Sequence, residues 1–164
     1  MNNNLVSYLA SVDICSCSIA EVEAIYRLSS HLAQHQMNGL KAIESTAELE
    51  RYLRNAYMAI KHEIFGVIFV DTQNQVLAVE EMFQGTIDGA TVYSRRVVER
   101  AIFHGAGGCF LFHNHPSGGV EPSNADRRIT EHLQSALKLI DVRILDHMIV
   151  GKKGVYSFVQ NHLL

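Results

Sequence analysis

Two histidines and an aspartate stand close together in HNHPSGGVEPSNAD, residues 113–126. Residues two apart on a strand point to the same face, so the side chains of His113 and His115 would project together. The stretch then reaches Ser123 and Asp126, which have the spacing of a helix N-cap and its third-residue partner. Two imidazoles and one carboxylate predict a metal site with three protein ligands and a position left for water. This ligand set favours a catalytic metal over a structural one.

Water activated at such a site needs a base, and four glutamates are candidates: Glu63, Glu80, Glu81 and Glu121. Glu63 follows a predicted helix and opens the first predicted strand, which places it at an edge or mouth of the sheet. Glu80 and Glu81 lie within a strand, where one of the two must face outward. Glu121 is typical of a solvated loop. The stretch HEIFG at 62–66 is not a zincin motif, because Gly66 occupies the place of the second histidine.

The elements that position these residues follow from capping signals and hydrophobic periodicity. Ser18–Glu21 and Ser45–Glu48 have capping-box spacing and predict helices from about Ile19 to Gln34 and from Thr46 to Lys61 or His62. Later patterns predict a hairpin at 63–84, a helix at 93–104 stopped by Gly105, a strand at 107–115, a helix from Ser123 to about Ile140, and strands at 142–151 and 155–159. This order predicts an α/β domain whose mixed sheet is flanked by helices.

Composition narrows the class of protein. A chain of 164 residues with 48% hydrophobic residues suits one main domain, and its net charge of −3 does not favour strong nucleic-acid binding. Cys15, Cys17 and Cys109 do not suggest a disulfide framework and fit a reducing cytosol. The N-terminus lacks the pattern of a signal peptide, and no apolar run is long enough to span a bilayer. We therefore expect a cytoplasmic protein with no membrane partner, whose oligomeric state stays open.

Other metal-dependent classes fit the sequence less well. A contiguous His-Asn-His does not supply the separated ββα motif of an HNH nuclease. Fe(II) oxygenases also use two histidines and one carboxylate, but their jelly roll needs many short strands, whereas helices separate the strands here. A zinc nucleoside deaminase would require Pro-Cys-x-x-Cys, which the sequence lacks. For His147, which follows Asp146 in an otherwise apolar strand, a core histidine satisfied by a neighbour is favoured over a catalytic role.

The spacing from His113 to Asp126 resembles a known metalloprotease motif. His113-x-His115, seven residues, Ser123, two residues and Asp126 looks like the JAMM motif of the JAB/MPN superfamily. HNHPSG, with LDHMIVG downstream, resembles its RadC-like branch. The resemblance divides the chain into a helical N-terminal segment, 1–41, and a JAB/MPN domain, 42–164. Full-length RadC-like chains carry a helix-hairpin-helix region before this domain, and its glycine turn is not seen in residues 1–41, so we expect a short form.

The resemblance also implies a fold and a chemistry. It implies a three-layer, cytidine-deaminase-like domain and a zinc hydrolase in which His113, His115 and Asp126 bind Zn²⁺. A glutamate upstream, matched by Glu63, would be the general base, and Ser123 would help to stabilise the oxyanion. The substrate would be a peptide or protein cleaved at a peptide or isopeptide bond. A DNA-repair-associated role and a non-catalytic binding scaffold remain alternatives, the scaffold being weaker because all three ligands are present.

Overall fold

Helices and strands follow one another in the predicted order. The computed structural model describes residues 17–22, 24–25, 28, 42–43, 45–85 and 92–164. Within these ranges the helices with complete bounds are α1 (Thr46–Tyr57), α2 (Ser94–His104) and α3 (Asn124–Lys138). The strands are β1 (Ile64–Val70), β2 (Val76–Gln84), β3 (Gly108–Asn114), β4 (Arg143–Gly151) and β5 (Gly154–Ser157). Residues 19–22, 24, 25 and 28 are also helical.

The five strands form one sheet in the order β2-β1-β3-β4-β5. β1 pairs antiparallel with both β2 and β3, whereas β3 and β4 are parallel and are joined through α3. β4 and β5 then form an antiparallel pair. The sheet is therefore mixed, which confirms the predicted α/β class. β3 is its central strand, so the end of β3 lies where the start of β1 and the end of β4 also meet.

Helices cover both faces of the sheet. On one face, Leu49, Leu53 and Tyr57 of α1 are buried with residues of β1, β3 and β4. On the other face, the buried residues of α2 and α3 include Ala101 and Leu133, which pack with the alternate side chains of the same strands. Because both faces are covered, all seven residues of β1 are buried. The predicted three-layer arrangement is confirmed.

Local capping explains where the helices begin and end. The Ser45 hydroxyl accepts a hydrogen bond from the Glu48 N–H at 3.3 Å, and Gly105 ends α2 with a left-handed φ of 63°. The prediction that the helix opened by Ser45 continues to Lys61 or His62 was wrong, because α1 ends at Tyr57. The carbonyls of Ile60 and His62 instead accept hydrogen bonds from the side chain of Asn114. This tertiary contact holds the non-helical segment between α1 and β1.

Two later elements are also shorter than predicted. α3 ends at Lys138 rather than near Ile140, and Asp141 reverses the chain with a positive φ of 57°. β5 ends at Ser157 rather than Val159, because the Val159 N–H donates to a side-chain oxygen of Asp146 at 3.1 Å instead of to a neighbouring strand.

Only part of the predicted N-terminal segment lies within the described residues. Ser18 and Glu21 form the predicted capping pair, with the Ser18 N–H donating to the Glu21 carboxylate at 2.8 Å. Residues 29–41, which include the predicted helix end near Gln34 and the boundary at residue 41, lie outside them, as does Cys15. No helix in the described part of the chain combines the length and apolar character needed to cross a membrane.

Candidate metal centre

His113 lies on the central strand, one residue before its end. Alternation along β3 places its side chain on the same face as Leu111 and Cys109, against which α3 packs. The side chain is 0% exposed. Its ring lies nearly parallel to that of Phe65 on β1, with centroids 6.4 Å apart. The imidazole is therefore held inside the domain rather than at its surface.

His115 follows the end of β3 and continues its direction. Its N–H donates to the carbonyl of Val150 at 2.8 Å, which extends the pairing with β4 by one residue. The rings of His113 and His115 lie on the same side, with centroids 4.8 Å apart. Strand-like backbone at both residues therefore brings the two imidazoles together.

Asp126 enters the site from the first turn of α3. Ser123 and Asp126 form a reciprocal capping box, in which the Ser123 hydroxyl accepts from the Asp126 N–H and the Asp126 Oδ2 accepts from the Ser123 N–H at 2.7 Å. This pairing fixes the carboxylate, whereas Oδ1 has no hydrogen-bond partner among the described residues, although Asp126 is only 1% exposed. A buried carboxylate oxygen without a partner is costly unless a cation faces it.

The three side chains converge on one point. His113 Nε2 lies 3.0 Å from His115 Nε2 and 3.2 Å from Asp126 Oδ1, and His115 Nε2 lies 3.7 Å from Asp126 Oδ2. One ligand atom from each residue lies within 4.8 Å of the other two. The three residues could therefore hold a metal ion, and the partnerless Asp126 oxygen is one of the atoms that would face it.

Burial and contact set the charges of these groups. Burial lowers the pKa of His113, whereas contact with Asp126 raises the pKa of His115. Burial acts to raise the pKa of Asp126, but His113, His115 and Ser123 oppose this and hold that pKa well below its ordinary value. The site thus combines an ionised carboxylate with a buried imidazole that favours its neutral form. These are the protonation states in which both groups bind metals.

A close backbone contact holds the loop that follows His115. A Cβ atom on Gly151 would lie 2.5 Å from the carbonyl oxygen of Gly119 and 2.8 Å from that of Gly118. Only a glycine lets the two backbones approach so closely. Contact with Asp126 above all, and to a smaller extent with the Gly119 backbone, raises the pKa of His115. The turn after β4 therefore supports the second histidine through this loop.

Glu63 lies at the same edge of the sheet as the two histidines. It directly precedes β1, and the antiparallel register pairs Phe65 with His113. The start of β1 is therefore beside the end of β3. The negative charge of Glu63 acts to raise the pKa of both His113 and His115. Glu63 therefore lies where the start of β1 meets the end of β3, close to the candidate ligands.

The other candidate acids have different surroundings. Glu80 on β2 binds Arg100 and His104 of α2, and Arg100 above all lowers the pKa of Glu80. A carboxylate held in this ion pair is a poor base. Glu81 and Glu121 are exposed. The exposed Ser123 remains at the helix start, where its hydroxyl oxygen caps the helix.

Asn114, between the two histidines, has a structural task that the sequence did not reveal. Its side chain is 1% exposed and points to the opposite face of the sheet. Its Oδ1 accepts from the Ile64 N–H at 2.7 Å, and its Nδ2 donates to the carbonyls of Ile60 and His62 at 3.2 and 3.0 Å. These three bonds hold the backbone on both sides of Glu63. The end of β3 therefore leads to both candidate ligands, His113 and His115. Through Asn114 it also holds the segment that contains Glu63.

We expect Asn114→Ala to lower the free energy of unfolding by about 2 kcal/mol, since a buried donor or acceptor left without a partner costs about 1–3 kcal/mol. Affinity for a metal ion should change little, because Asn114 is not among the three candidate ligands. Urea denaturation of the metal-free protein and chelator competition measure the two effects. Asn161→Ala is the control, as its exposed side chain makes one bond, to the carbonyl of Ser157. Unchanged stability in Asn114→Ala would contradict this assignment.

His147 is a buried histidine with polar partners, as the sequence favoured, and one of those partners is His113. His147 Nε2 lies 2.9 Å from His113 Nδ1, on the side of that ring away from the candidate metal. The polar residue in an apolar strand was the available signal. The contact itself depends on the parallel pairing of β3 with β4, which no local pattern specifies.

Comparison with known proteins places the whole site within one family. The profile of the RadC-like JAB domain matches residues 43–163, which include His113, His115, Asp126, Glu63 and Ser123. The chain belongs to the RadC-like JAB domain family. The resemblance drawn from the motif is thereby confirmed, and the mixed sheet between helices is consistent with the JAB/MPN fold.

Relatives of this RadC-like JAB domain are named UPF0758 proteins. The chain is 40% identical over 145 residues to one from Nitrosospira multiformis, covering 88% of this chain and 65% of that protein. It is 44% identical over 141 residues to one from Pseudomonas fluorescens, covering 86% and 63%. With one from Thioalkalivibrio sulfidiphilus it shares 40% identity over 162 residues, covering 98% and 72%. The chain thus spans slightly less than two thirds of the first two relatives.

Proposed function

We propose that this chain is a zinc-dependent hydrolase of amide bonds in peptides or proteins. His113, His115 and Asp126 would hold the zinc, and Glu63 would be the general base. The observation that carries the proposal is the convergence of three ligand atoms within 4.8 Å at the end of the central strand. Asp126 Oδ1, which lies 3.2 Å from His113 Nε2, is buried without a hydrogen-bond partner among the described residues.

The donor set fits zinc in a catalytic role. Zinc binds imidazole nitrogens and carboxylate oxygens, and catalytic zinc sites keep three protein ligands, whereas structural sites close with four. When bound, zinc supplies a Lewis acid that polarises a carbonyl and makes water reactive near neutral pH. The protein supplies a ligand cluster whose orientation is fixed by β3 and by the capping box of α3.

Glu63 would move the proton that amide hydrolysis requires. A carboxylate can accept a proton from the attacking water and return it to the leaving amine, which is a poor leaving group unless protonated. The influence of Glu63 on the pKa of both histidines supports its nearness to the reacting centre. Ser123 would donate its hydroxyl hydrogen to the oxyanion, while its oxygen continues to cap α3.

The exposure of the ligands indicates the side from which a substrate would approach. The side chains of His113 and Asp126 are 0% and 1% exposed, whereas that of His115 is 15% exposed. Glu63 is half-buried, and Ser123 is exposed. A substrate would therefore enter on the side of His115, the ligand that solvent reaches. A peptide or protein chain with an accessible amide bond suits such an open site.

Elemental analysis of the purified protein tests the metal. We expect about one zinc per chain after reconstitution, with zinc retained in preference to manganese and iron. A peptide-library screen then tests the reaction, comparing the chelator-treated protein with the same sample after zinc is restored. Cleavage should be lost on chelation and regained with zinc.

The variant His132→Ala controls for zinc bound at surface histidines. His132 is an exposed histidine of α3, and its replacement should leave the zinc content unchanged. Wild-type protein that takes up no zinc after reconstitution, with a folded far-UV spectrum, would refute the metal assignment. Stoichiometric zinc without cleavage of any peptide or isopeptide substrate would refute the proposed reaction but not the site.

A further inference from the structure

Behind the three candidate ligands, two buried side chains connect His113 to Asp126. His113 Nδ1 lies 2.9 Å from His147 Nε2, and His147 Nδ1 lies 2.6 Å from the Thr130 hydroxyl. That hydroxyl lies 2.6 Å from the main-chain carbonyl of Asp126. His113, His147 and Thr130 are at most 2% exposed. The chain of contacts therefore runs through the interior from one candidate ligand to the backbone of another.

The carbonyl at the end of this chain fixes the direction of every hydrogen bond in it. A carbonyl oxygen only accepts, so the Thr130 hydroxyl must donate to Asp126. The Thr130 oxygen is then the acceptor for His147, which must carry its proton on Nδ1. A neutral His147 consequently presents Nε2 as an acceptor, and His113 must donate to it from Nδ1. His147 is 0% exposed, and burial disfavours the charged form of an imidazole, so the ring is taken as neutral.

We propose that His147 and Thr130 are positioning residues, which fix the tautomer and the ring orientation of His113 so that its Nε2 lone pair faces the candidate metal. This inference rests on the proposed metal site. A neutral histidine can bind a metal only through the nitrogen that carries no proton, and a hydrogen bond at the other nitrogen selects which one that is. Here the main-chain carbonyl of Asp126 sets the direction of the hydrogen bonds, and the side chains of Thr130 and His147 connect it to His113.

The surroundings of His147 hold its ring in the required place. Thr130 and Asp126 both belong to α3, which fixes their places. The carboxylate of Asp146 accepts hydrogen bonds from the main-chain N–H of His147 at 2.7 Å and from the hydroxyl of Ser157 at 2.5 Å. The ring of Phe158 packs against His147 with centroids 4.7 Å apart. With the backbone and one ring face held, His147 has little freedom to turn away from His113.

Thr130→Val and Thr130→Ser form a matched pair for testing this proposal. Valine keeps the shape but removes the acceptor for His147, whereas serine keeps the hydroxyl. Neither change touches a ligand side chain. We expect zinc affinity, measured by chelator competition, to fall about 10- to 100-fold in Thr130→Val, the range usual for outer partners of metal ligands. Thr130→Ser should remain within about threefold of the wild type.

Nitrogen-15 NMR of histidine-labelled, zinc-free protein reads the tautomer directly. In the wild type and in Thr130→Ser, His113 should be protonated on Nδ1 and unprotonated on Nε2. Thr130→Val should show a mixture of the two tautomers at His113, a change that a general loss of packing does not produce. His147→Gln is the alternative test if the valine variant does not fold. The glutamine amide can accept a hydrogen bond from His113 and donate one to Thr130, so His113 should keep the wild-type tautomer.

The possible results separate this inference from the proposed function. A His113 tautomer with the proton on Nε2 in the wild type overturns the inference, as does a Thr130→Val protein with wild-type affinity and tautomer. Either result can coexist with zinc-dependent hydrolysis. A wild type that shows the expected tautomer but takes up no zinc instead overturns the metal assignment and the proposal that depends on it.

Discussion

Glu63→Gln is expected to lower the rate of amide hydrolysis by about 100- to 10,000-fold, the range typical for loss of a general base. Glutamine has nearly the same shape but cannot accept a proton from water at neutral pH. Zinc content and the free energy of unfolding should stay close to wild-type values, because Glu63 is not among the three converging ligands. Rate, zinc content and urea denaturation are to be measured on the same preparation and with one substrate identified in the peptide screen.

Glu81→Gln is the matched control for this variant. Glu81 is an exposed glutamate on β2, so the same chemical change there should leave the rate within about twofold of wild type. Full activity in Glu63→Gln would mean that another acid is the base and that Glu63 is a residue of the strand end. Loss of zinc in Glu63→Gln would make it a fourth ligand and would remove the open position on which the proposed chemistry depends.

His113→Ala is expected to abolish both zinc binding and hydrolysis. A three-ligand site has no spare donor, so loss of one ligand should weaken zinc binding well beyond the roughly 10- to 100-fold expected for an outer partner. The change also leaves His147 without its partner at 2.9 Å and opens a buried cavity. We therefore expect a lower free energy of unfolding as well, by about 2 kcal/mol or more.

Two measurements separate loss of the ligand from loss of the fold. Far-UV circular dichroism should show that His113→Ala is folded at a temperature where zinc content is determined. His115→Ala removes the second, partly exposed ligand with a smaller packing defect, and it should lose zinc with less effect on unfolding. Stoichiometric zinc in folded His113→Ala would show that the metal is held elsewhere.

Local patterns in the sequence were sufficient to predict the strand and the helix that carry the candidate ligands. Ser123 and Asp126 form the predicted capping pair because an N-cap and its third-residue partner interact within one helical turn. The strand that carries His113 was likewise recognisable from its apolar residues and the proline that follows. These features depend on neighbours in the chain, which is why they can be read without knowing the fold.

Contacts between distant strands could not be read in the same way. The location of Glu63 beside the histidines depends on the antiparallel pairing of β1 with β3, and the contact of His147 with His113 depends on the parallel pairing of β3 with β4. Asn114 shows the same limit, since its partners lie 50 to 54 residues away. The segment between α1 and β1 depends on the same contacts, because Asn114 binds the carbonyls of Ile60 and His62 there.

The two oxygens of Asp126 have separate tasks, and this has a kinetic consequence. Oδ2 is bound to the backbone of Ser123, so the carboxylate is oriented by the helix start itself. Oδ1 is thereby held 3.2 Å from Nε2 of His113. An arriving ion would meet donors that are already in place, and its rate of entry would be set by passage beside the partly exposed His115 and by loss of water from the ion. Exchange of the metal would then proceed without local unfolding of the domain.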